Sequence, residues 1–321
     1  MQQPAMLYGT AWKGARTTAL VVQAVLAGFR GIDTACQPKH YRQELVGQAI
    51  EQLKTRHGIN RDQLWIQTKF TSLDGQDLSQ PLPYDKGAPL AQQVRQSFET
   101  SLKQLGTDYV DSLIMHAPMR TREETRSVWT EFESLVKSGK VREIGISNIY
   151  DVDLFDWCFG TFEIKPSSIQ NRFVEEHLNF CTPILERLTQ RVKEAQSPSS
   201  IWPEIHFKSD PSPPPPILDP QILRQLSLPQ ALTFSESRTR LRTAAQILYY
   251  LLMTTRRWPK GMIIPLTGTT SEQHVQDDIE VMRAVEESSV GDGWKGEKRE
   301  MEDARKLVEK YIWSDYFTAA V

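Results

Sequence analysis

The chain has 321 residues, 39% of them hydrophobic and 24% charged, which is enough apolar length to bury one large core and lies in the size range of α/β barrels. Lysine and arginine number 38 against 40 aspartate and glutamate, leaving a net charge of -2; such a balance has no field to gather nucleic acid or an anionic membrane, and neither partner is expected. Cys36, Cys158 and Cys181 are odd in number, widely spaced and without a CxxC or Cys/His ladder, so no metal is expected and a reducing, cytoplasmic setting is.

In chain order, the opening MQQPAMLYGTAWKG has neither the charge-then-apolar layout of a signal peptide nor a transit composition. A first strand is read at 5–11 (AMLYGTA), followed by the helical TTALVVQAVLAGF and a second strand at 29–35 (FRGIDTA). The helix RQELVGQAIEQLKTRHG then leads to LWIQTKF at 64–70, and APLAQQVRQSFETSLKQLG to YVDSLIMH at 109–116. Further strands are read at 142–148 (REIGISN), 166–173 (PSSIQNRF) and 262–268 (MIIPLTG). The helical stretches carry apolar residues at helical spacing and close on or near glycine, as helix ends do. Short β-rich runs alternating with helices give βαβα order and a parallel sheet.

Between 174 and 245 this order weakens. PILERLTQRVKEAQ reads as a helix, EIHFKS (204–209) as the candidate eighth strand, and SDPSPPPP as an extended surface loop. Beyond it, DPQILRQL and SRTRLRTAAQILYYLLMTTRRW read as helices, EESSVGDGWKGEKRE as a solvated loop and EDARKLVEKYIW as the last helix. No segment has the length and apolarity of a membrane span. The expectation is one (β/α)₈ TIM barrel domain over 1–321, with a divergent proline-rich segment at about 196–240.

Barrel enzymes gather reactive groups where strands end. Asp33 ends one strand, Lys69 another, His116 a third, and Tyr41 follows Asp33 at a helix entry. Lysine and aspartate are rarely buried unless paired, so adjacent strands offering Lys69 and Asp33 predict a pair. An ammonium beside a phenol lowers its pKa; Asp33 would hold Lys69 charged, Lys69 would make Tyr41 a usable acid, and His116 would orient a carbonyl oxygen. Singly, each has a structural reading as well: a fixed strand-end ion pair, or a tyrosine packing on its helix.

The runs GFRGIDTA, YRQELVGQAI, IQTKF, YVDSLIMHAP and GKVREIGISN resemble, in order, successive signatures of the aldo-keto reductase superfamily. TAAQILYYLL and IIPLTGTTSEQH resume the likeness after the divergent middle. The resemblance implies an NAD(P)H-dependent oxidoreductase that reduces an aldehyde or ketone, Tyr41 as general acid, Asp33 and Lys69 as its tuning pair, and His116 as the group that orients the carbonyl. It implies that Ser147, Asn148 and Gln170 hold the nicotinamide carboxamide. Thr10, Ala11 and Trp12 would line the cofactor and substrate mouth, and Thr267, Thr269, Thr270 and Gln273 would meet the adenosine phosphate. NADP(H) is implied ahead of NAD(H), with no metal, a small-molecule carbonyl substrate and a monomer. Ser147 and Asn148 have an alternative reading as caps of a helix beginning near Tyr150.

Three departures from the family pattern stand out. The loop from Asp33 to Tyr41 is three residues longer, within Gln37 to His40, which resembles fungal-type members, suggests secondary metabolism and leaves His40 as a rival polar group. Leu266, Gln273 and His274 stand where the family offers lysine and arginine to a 2′-phosphate. The cofactor wall falls in the divergent segment, where Phe207 or His206 would have to stack. A second reading follows from that third departure: a repurposed barrel without redox turnover, either a cyclase or isomerase using Tyr41 and His116 as acid and base or a regulatory binding protein. Trp12, Tyr84, Trp129 and Trp202 are the candidate apolar liners of a substrate pocket.

Overall fold

The structure is a computed structural model that describes residues 3–172, 183–184, 186–188, 190–191, 202–206, 232–233, 240–241, 244–254 and 263–287. Its main strands are β1 (Leu7–Gly9), β2 (Gly31–Asp33), β3 (Trp65–Phe70), β4 (Val110–Met115), β5 (Val141–Ser147), β6 (Ser168–Arg172), β7 (Trp202–His206) and β8 (Ile264–Thr267). The helices are α1 (Thr17–Ala27), α2 (Gln43–His57), α3 (Leu90–Leu105), α4 (Arg122–Lys137), α5 (Val152–Thr161), α6 (Ala244–Thr254) and α7 (Glu272–Glu287). Neighbouring strands from β1 to β7 pair in parallel, β7 pairs with β8 and β8 with β1, so the order returns on itself. The fold is an α/β barrel, with helices alternating with the parallel strands.

Register explains why the chemistry collects at one end. Leu7 sits opposite Gly31 and Gly31 opposite Trp65, while two residues further along Gly9 pairs with Asp33 and Asp33 with Gln67. Side chains two apart on a strand share a face, so on β3 the apolar Trp65 lies below the polar Gln67 and Lys69, with Gln67 level with Asp33 of β2. Leu7, Trp65, Ile264 and Leu266 form a small cluster of their own, separate from the larger core between strands and helices to which Ile66, Phe70, Phe98, Phe132 and Phe155 belong. Asp33, Gln67 and Lys69 lie above the small cluster, towards the carboxyl ends. At the opposite end the buried Asp111 accepts from Arg61 Nη2 and Arg142 Nη1, each at 2.7 Å, and from the backbone N–H of Ile66 at 2.9 Å.

Helix boundaries follow local chemistry. α2 and α3 end at Gly58 (φ 68°) and Gly106 (φ 65°), left-handed positions that glycine takes without a Cβ penalty. α4 opens on a capping box: Thr121 Oγ1 accepts from the Glu124 N–H, and the Glu124 carboxylate accepts from the Thr121 N–H. Three sequence expectations are corrected. The candidate eighth strand, read at 204–209, begins earlier, at Trp202, and is described to His206, with register set by pairing to β6 and β8; residues 207–209 lie outside the described residues. The long helix read from SRTRLRTAAQILYYLLMTTRRW does not reach back to Arg240–Leu241, which pairs antiparallel with Leu232–Thr233, and is described over Ala244–Thr254. Ser147 and Asn148 do not cap α5, whose N-cap is Asp151, with its carboxylate accepting from the Leu154 N–H at 2.7 Å. The residues described between 183 and 191 are helical, in keeping with PILERLTQRVKEAQ. DPQILRQL, SDPSPPPP and EDARKLVEKYIW lie outside the described residues.

Candidate active site

Asp33 closes β2 and Lys69 sits next to the end of β3, both with 2% or less of their surface exposed. Their side chains form an ion pair. The same Asp33 oxygen accepts from Gln67 Nε2 at 2.9 Å and from Gln170 Nε2 at 3.3 Å, while Lys69 Nζ also donates to the Thr34 carbonyl at 2.8 Å. A buried charge pair survives desolvation only when its remaining donors and acceptors are met in this way. Lys69 Nζ lies over the Tyr41 ring, 5.1 Å from its centroid, and the Tyr41 and His116 rings meet edge to face at 6.1 Å.

The electrostatics correct one expectation. Burial raises the Tyr41 pKa; the Lys69 ammonium opposes that shift and the Asp33 charge reinforces it. Tyr41 is therefore not depressed but held protonated, with a cation against it. His116 goes the other way: burial, then the charge of Lys69 and that of Arg172, lower it to about 3, so its ring is neutral at physiological pH. His116 Nδ1 is 2.6 Å from Thr71 Oγ1.

These groups face a cavity of about 700 Å³ lined by Ala11, Trp12, Tyr41, His116, Ser147, Asn148 and Gln170 among others. Lys69 and Asp33 lie beneath it. Ser147 Oγ donates to the Gln170 carbonyl at 2.7 Å. Asn148, at a left-handed φ of 54°, donates from Nδ2 to the His116 carbonyl at 2.7 Å and to Ser147 Oγ at 3.2 Å. A non-glycine residue held there costs strain that its surroundings must repay, and such strain collects at functional sites. Thr10 supports the wall from behind, with Oγ1 donating to the Asp33 carbonyl at 2.9 Å.

Several of the residues expected to meet the adenosine phosphate lie outside the lining of this cavity. Thr267, Thr269, Thr270 and Gln273 do not line the cavity; they mark the end of β8 and the start of α7. Thr267 and Thr269 are buried, with Thr269 Oγ1 accepting from the Ser271 N–H, whereas Thr270 and Gln273 are exposed. Lys13 reaches this region, donating to the Gly268 carbonyl at 2.7 Å and the Thr269 carbonyl at 3.3 Å, its pKa lowered to about 8 by burial and by Arg16. His40 lines the cavity as well, beside the site. Its ring lies against that of Trp12, which is 73% exposed, with centroids 3.8 Å apart and the planes tilted by 36°, and its carbonyl accepts from the Trp12 N–H. Of the aromatic candidates, Trp12 lines the cavity. Trp129 is core, stacked on Phe162, and Tyr84 is buried with its hydroxyl donating to the Thr71 carbonyl at 2.8 Å. The Trp202 and His206 side chains and all of Phe207 lie outside the described residues.

The cavity also recruits residues that the sequence motifs did not single out: Thr71, Asp74, Met119, Arg120, Asn171 and Arg172. Thr71 and Arg172 had a usable signal, since each lies two residues beyond an inward-facing position, Lys69 and Gln170. Arg120 and Asp74 form a two-pronged pair at 2.6 and 2.7 Å that joins the loops after β4 and β3, a contact between distant segments.

The family model for the aldo/keto reductase family matches residues 6–175, more than half the chain. The chain belongs to the aldo/keto reductase family. Among relatives of this family member, an uncharacterized oxidoreductase of Bacillus subtilis is 32% identical over 162 residues, covering 50% of the chain and 51% of the relative. A morphine 6-dehydrogenase of Pseudomonas putida is 29% identical over 203 residues, covering 62% and 60%. The chain thus spans little more than half the length of the curated relatives it matches. Solved structures share the fold across nearly the whole chain. An aldo/keto reductase from Brucella melitensis superposes with TM-score 0.63 at 21% identity, covering 95% of both chains. A Bombyx mori aldo-keto reductase in complex with NADP superposes with TM-score 0.59 at 20% identity, covering 89% of both.

Proposed function

We propose that this chain is an oxidoreductase that reduces an aldehyde or ketone with NADPH, Tyr41 giving the proton. The observation that carries the reading is the convergence, on one cavity, of a protonated Tyr41, the Lys69–Asp33 pair against it and a neutral His116. A carbonyl oxygen seated between Tyr41 and His116 receives a hydrogen bond from each, and as negative charge grows on it the Tyr41 proton crosses. The phenolate left behind faces the Lys69 ammonium, which Asp33 and the Thr34 carbonyl hold in place. Bound beside that carbonyl, a reduced nicotinamide would supply the hydride.

The residues present fit such a cofactor. A carboxamide offers both a donor and an acceptor, and Ser147, Asn148 and Gln170 bring hydroxyl and amide groups to the cavity floor, where Asn148 has spent its amide hydrogens on His116 and Ser147 and keeps its oxygen to accept. The exposed Thr270 and Gln273 at the start of α7 suit an adenosine phosphate near a helix N-terminus. The reading takes the barrel as a complete (β/α)₈ domain, monomeric, cytoplasmic and of the fungal type, with substrates drawn from secondary metabolism and NADP(H) ahead of NAD(H).

The acid–base alternative without hydride transfer fares worse on one point: a histidine lowered to about 3 is a poor base at neutral pH. Tyr41→Phe tests the proposal. NADPH-dependent reduction of a panel of small aldehydes and ketones is expected to fall by about 10²-fold or more, with cofactor fluorescence titration little changed. Equal turnover in the variant would sink the role of Tyr41.

A further inference from the structure

The buried groups around the cavity include one that the proton-transfer scheme does not use. Thr71 follows β3 directly, is 3% exposed and lines the cavity, and its hydroxyl lies 2.6 Å from His116 Nδ1. Its backbone is fixed from two sides: the Thr71 carbonyl accepts from Tyr84 Oη at 2.8 Å and from Gln76 Nε2 at 3.3 Å. The neighbouring Phe70 carbonyl accepts from the His116 N–H at 2.9 Å, so β3 holds both the main chain and the ring of His116. A neutral imidazole carries one N–H and one acceptor nitrogen, and which is which depends on the partner. The Thr71 hydroxyl hydrogen has no other acceptor among the described residues, and a buried hydroxyl left without one costs free energy. The hydroxyl therefore donates to Nδ1, and the ring proton belongs on Nε2.

We propose that Thr71 is a positioning residue that fixes His116 in the Nε2–H form, so that the open edge of the ring presents a donor to the substrate oxygen. This inference rests on the proposed carbonyl reduction and adds the device that sets the polarity of its second donor. A histidine with the opposite tautomer would turn a lone pair towards an oxygen that is gaining charge, repelling it instead of stabilising it. Thr71 touches neither substrate nor cofactor in this scheme; it acts through His116.

The test uses the full chain labelled with ¹⁵N-histidine at neutral pH, with the His116 resonances assigned by their loss in His116→Gln. Wild-type protein is expected to show a protonated Nε2 and a hydrogen-bonded, unprotonated Nδ1. In Thr71→Val, which keeps the shape but removes the hydroxyl, the Nδ1 resonance is expected to move to that of a nitrogen without a hydrogen bond and kcat to fall about tenfold, with KM for NADPH unchanged. Thr71→Ser should restore both the resonance and kcat. A wild-type signal with the proton on Nδ1, or Thr71→Val with unaltered Nδ1 resonance, overturns the assignment. Failure of the wild-type chain to reduce any carbonyl would remove the proposed reaction instead, and the Nδ1 resonance would still decide the role of Thr71.

Discussion

Lys69 is as buried as the phenylalanine that follows it, and Asp33 is its carboxylate partner. Removing one member of such a pair leaves the other charged in a low-dielectric site, which is worse than never having had the pair. Lys69→Met is therefore expected to lower the unfolding free energy by ~3–5 kcal/mol in urea titrations, and Lys69→Met with Asp33→Asn by less than Lys69→Met alone, because the double change leaves no orphaned carboxylate. A double variant as unstable as the single one would show that shape, not charge, dominates the site. At this scale the direction in which Lys69 acts on Tyr41, downwards, was legible in the sequence, but not the burial that outweighs it. Asp33, Tyr41, Lys69 and His116 stand at strand ends and can be picked out from the order of the motifs, but the depth of Tyr41 cannot, and it is depth that makes burial outweigh Lys69.

Among elements, the joint between β8 and α7 carries a conflict that pH exposes. Asp278 on α7 is buried, its carboxyl raised to about 7 by burial and by the charge of Asp277, with hydrogen bonding to Thr267 opposing, and its Oδ2 has no partner among the described residues. A carboxyl whose folded pKa exceeds its unfolded value of 3.8 contributes stability below the unfolded value and loses it as pH rises through the folded one. Asp278→Asn is accordingly expected to raise the melting temperature at pH 8 by about 2 °C or more and to change it little at pH 4; an equal shift at both would rule out titration of Asp278 as the cause. The elements themselves were legible where their signals are local: Gly58 and Gly106 stop their helices by backbone geometry alone. The pairing of Arg240–Leu241 with Leu232–Thr233 was not legible, since nothing within a few residues of Arg240 announces its partner.

For the molecule as a whole, the family match covers residues 6–175, while the closing strands β7 and β8 and the start of α7 come from the remainder. Whether the cavity accepts a dinucleotide thus depends on segments beyond the family match. A ligand that binds the folded state alone raises the melting temperature by mass action. NADPH in large excess is expected to raise it by several degrees, and NADH by less. No shift with either cofactor would favour the reading in which Tyr41 and the barrel serve without hydride transfer.

The sequence by itself determined the family, the βαβα order and the four strand-end residues that the fold brings together, because motif order and strand-end position are encoded along the chain. Only the tertiary structure decided the raised pKa of Tyr41, the lowered pKa of His116, the packing of His40 against Trp12 at the cavity wall and the arrival of Thr71 beside His116. Each of these depends on burial and on contacts between residues far apart in the chain, and neither desolvation nor a 2.6 Å approach across two strands has a local signature.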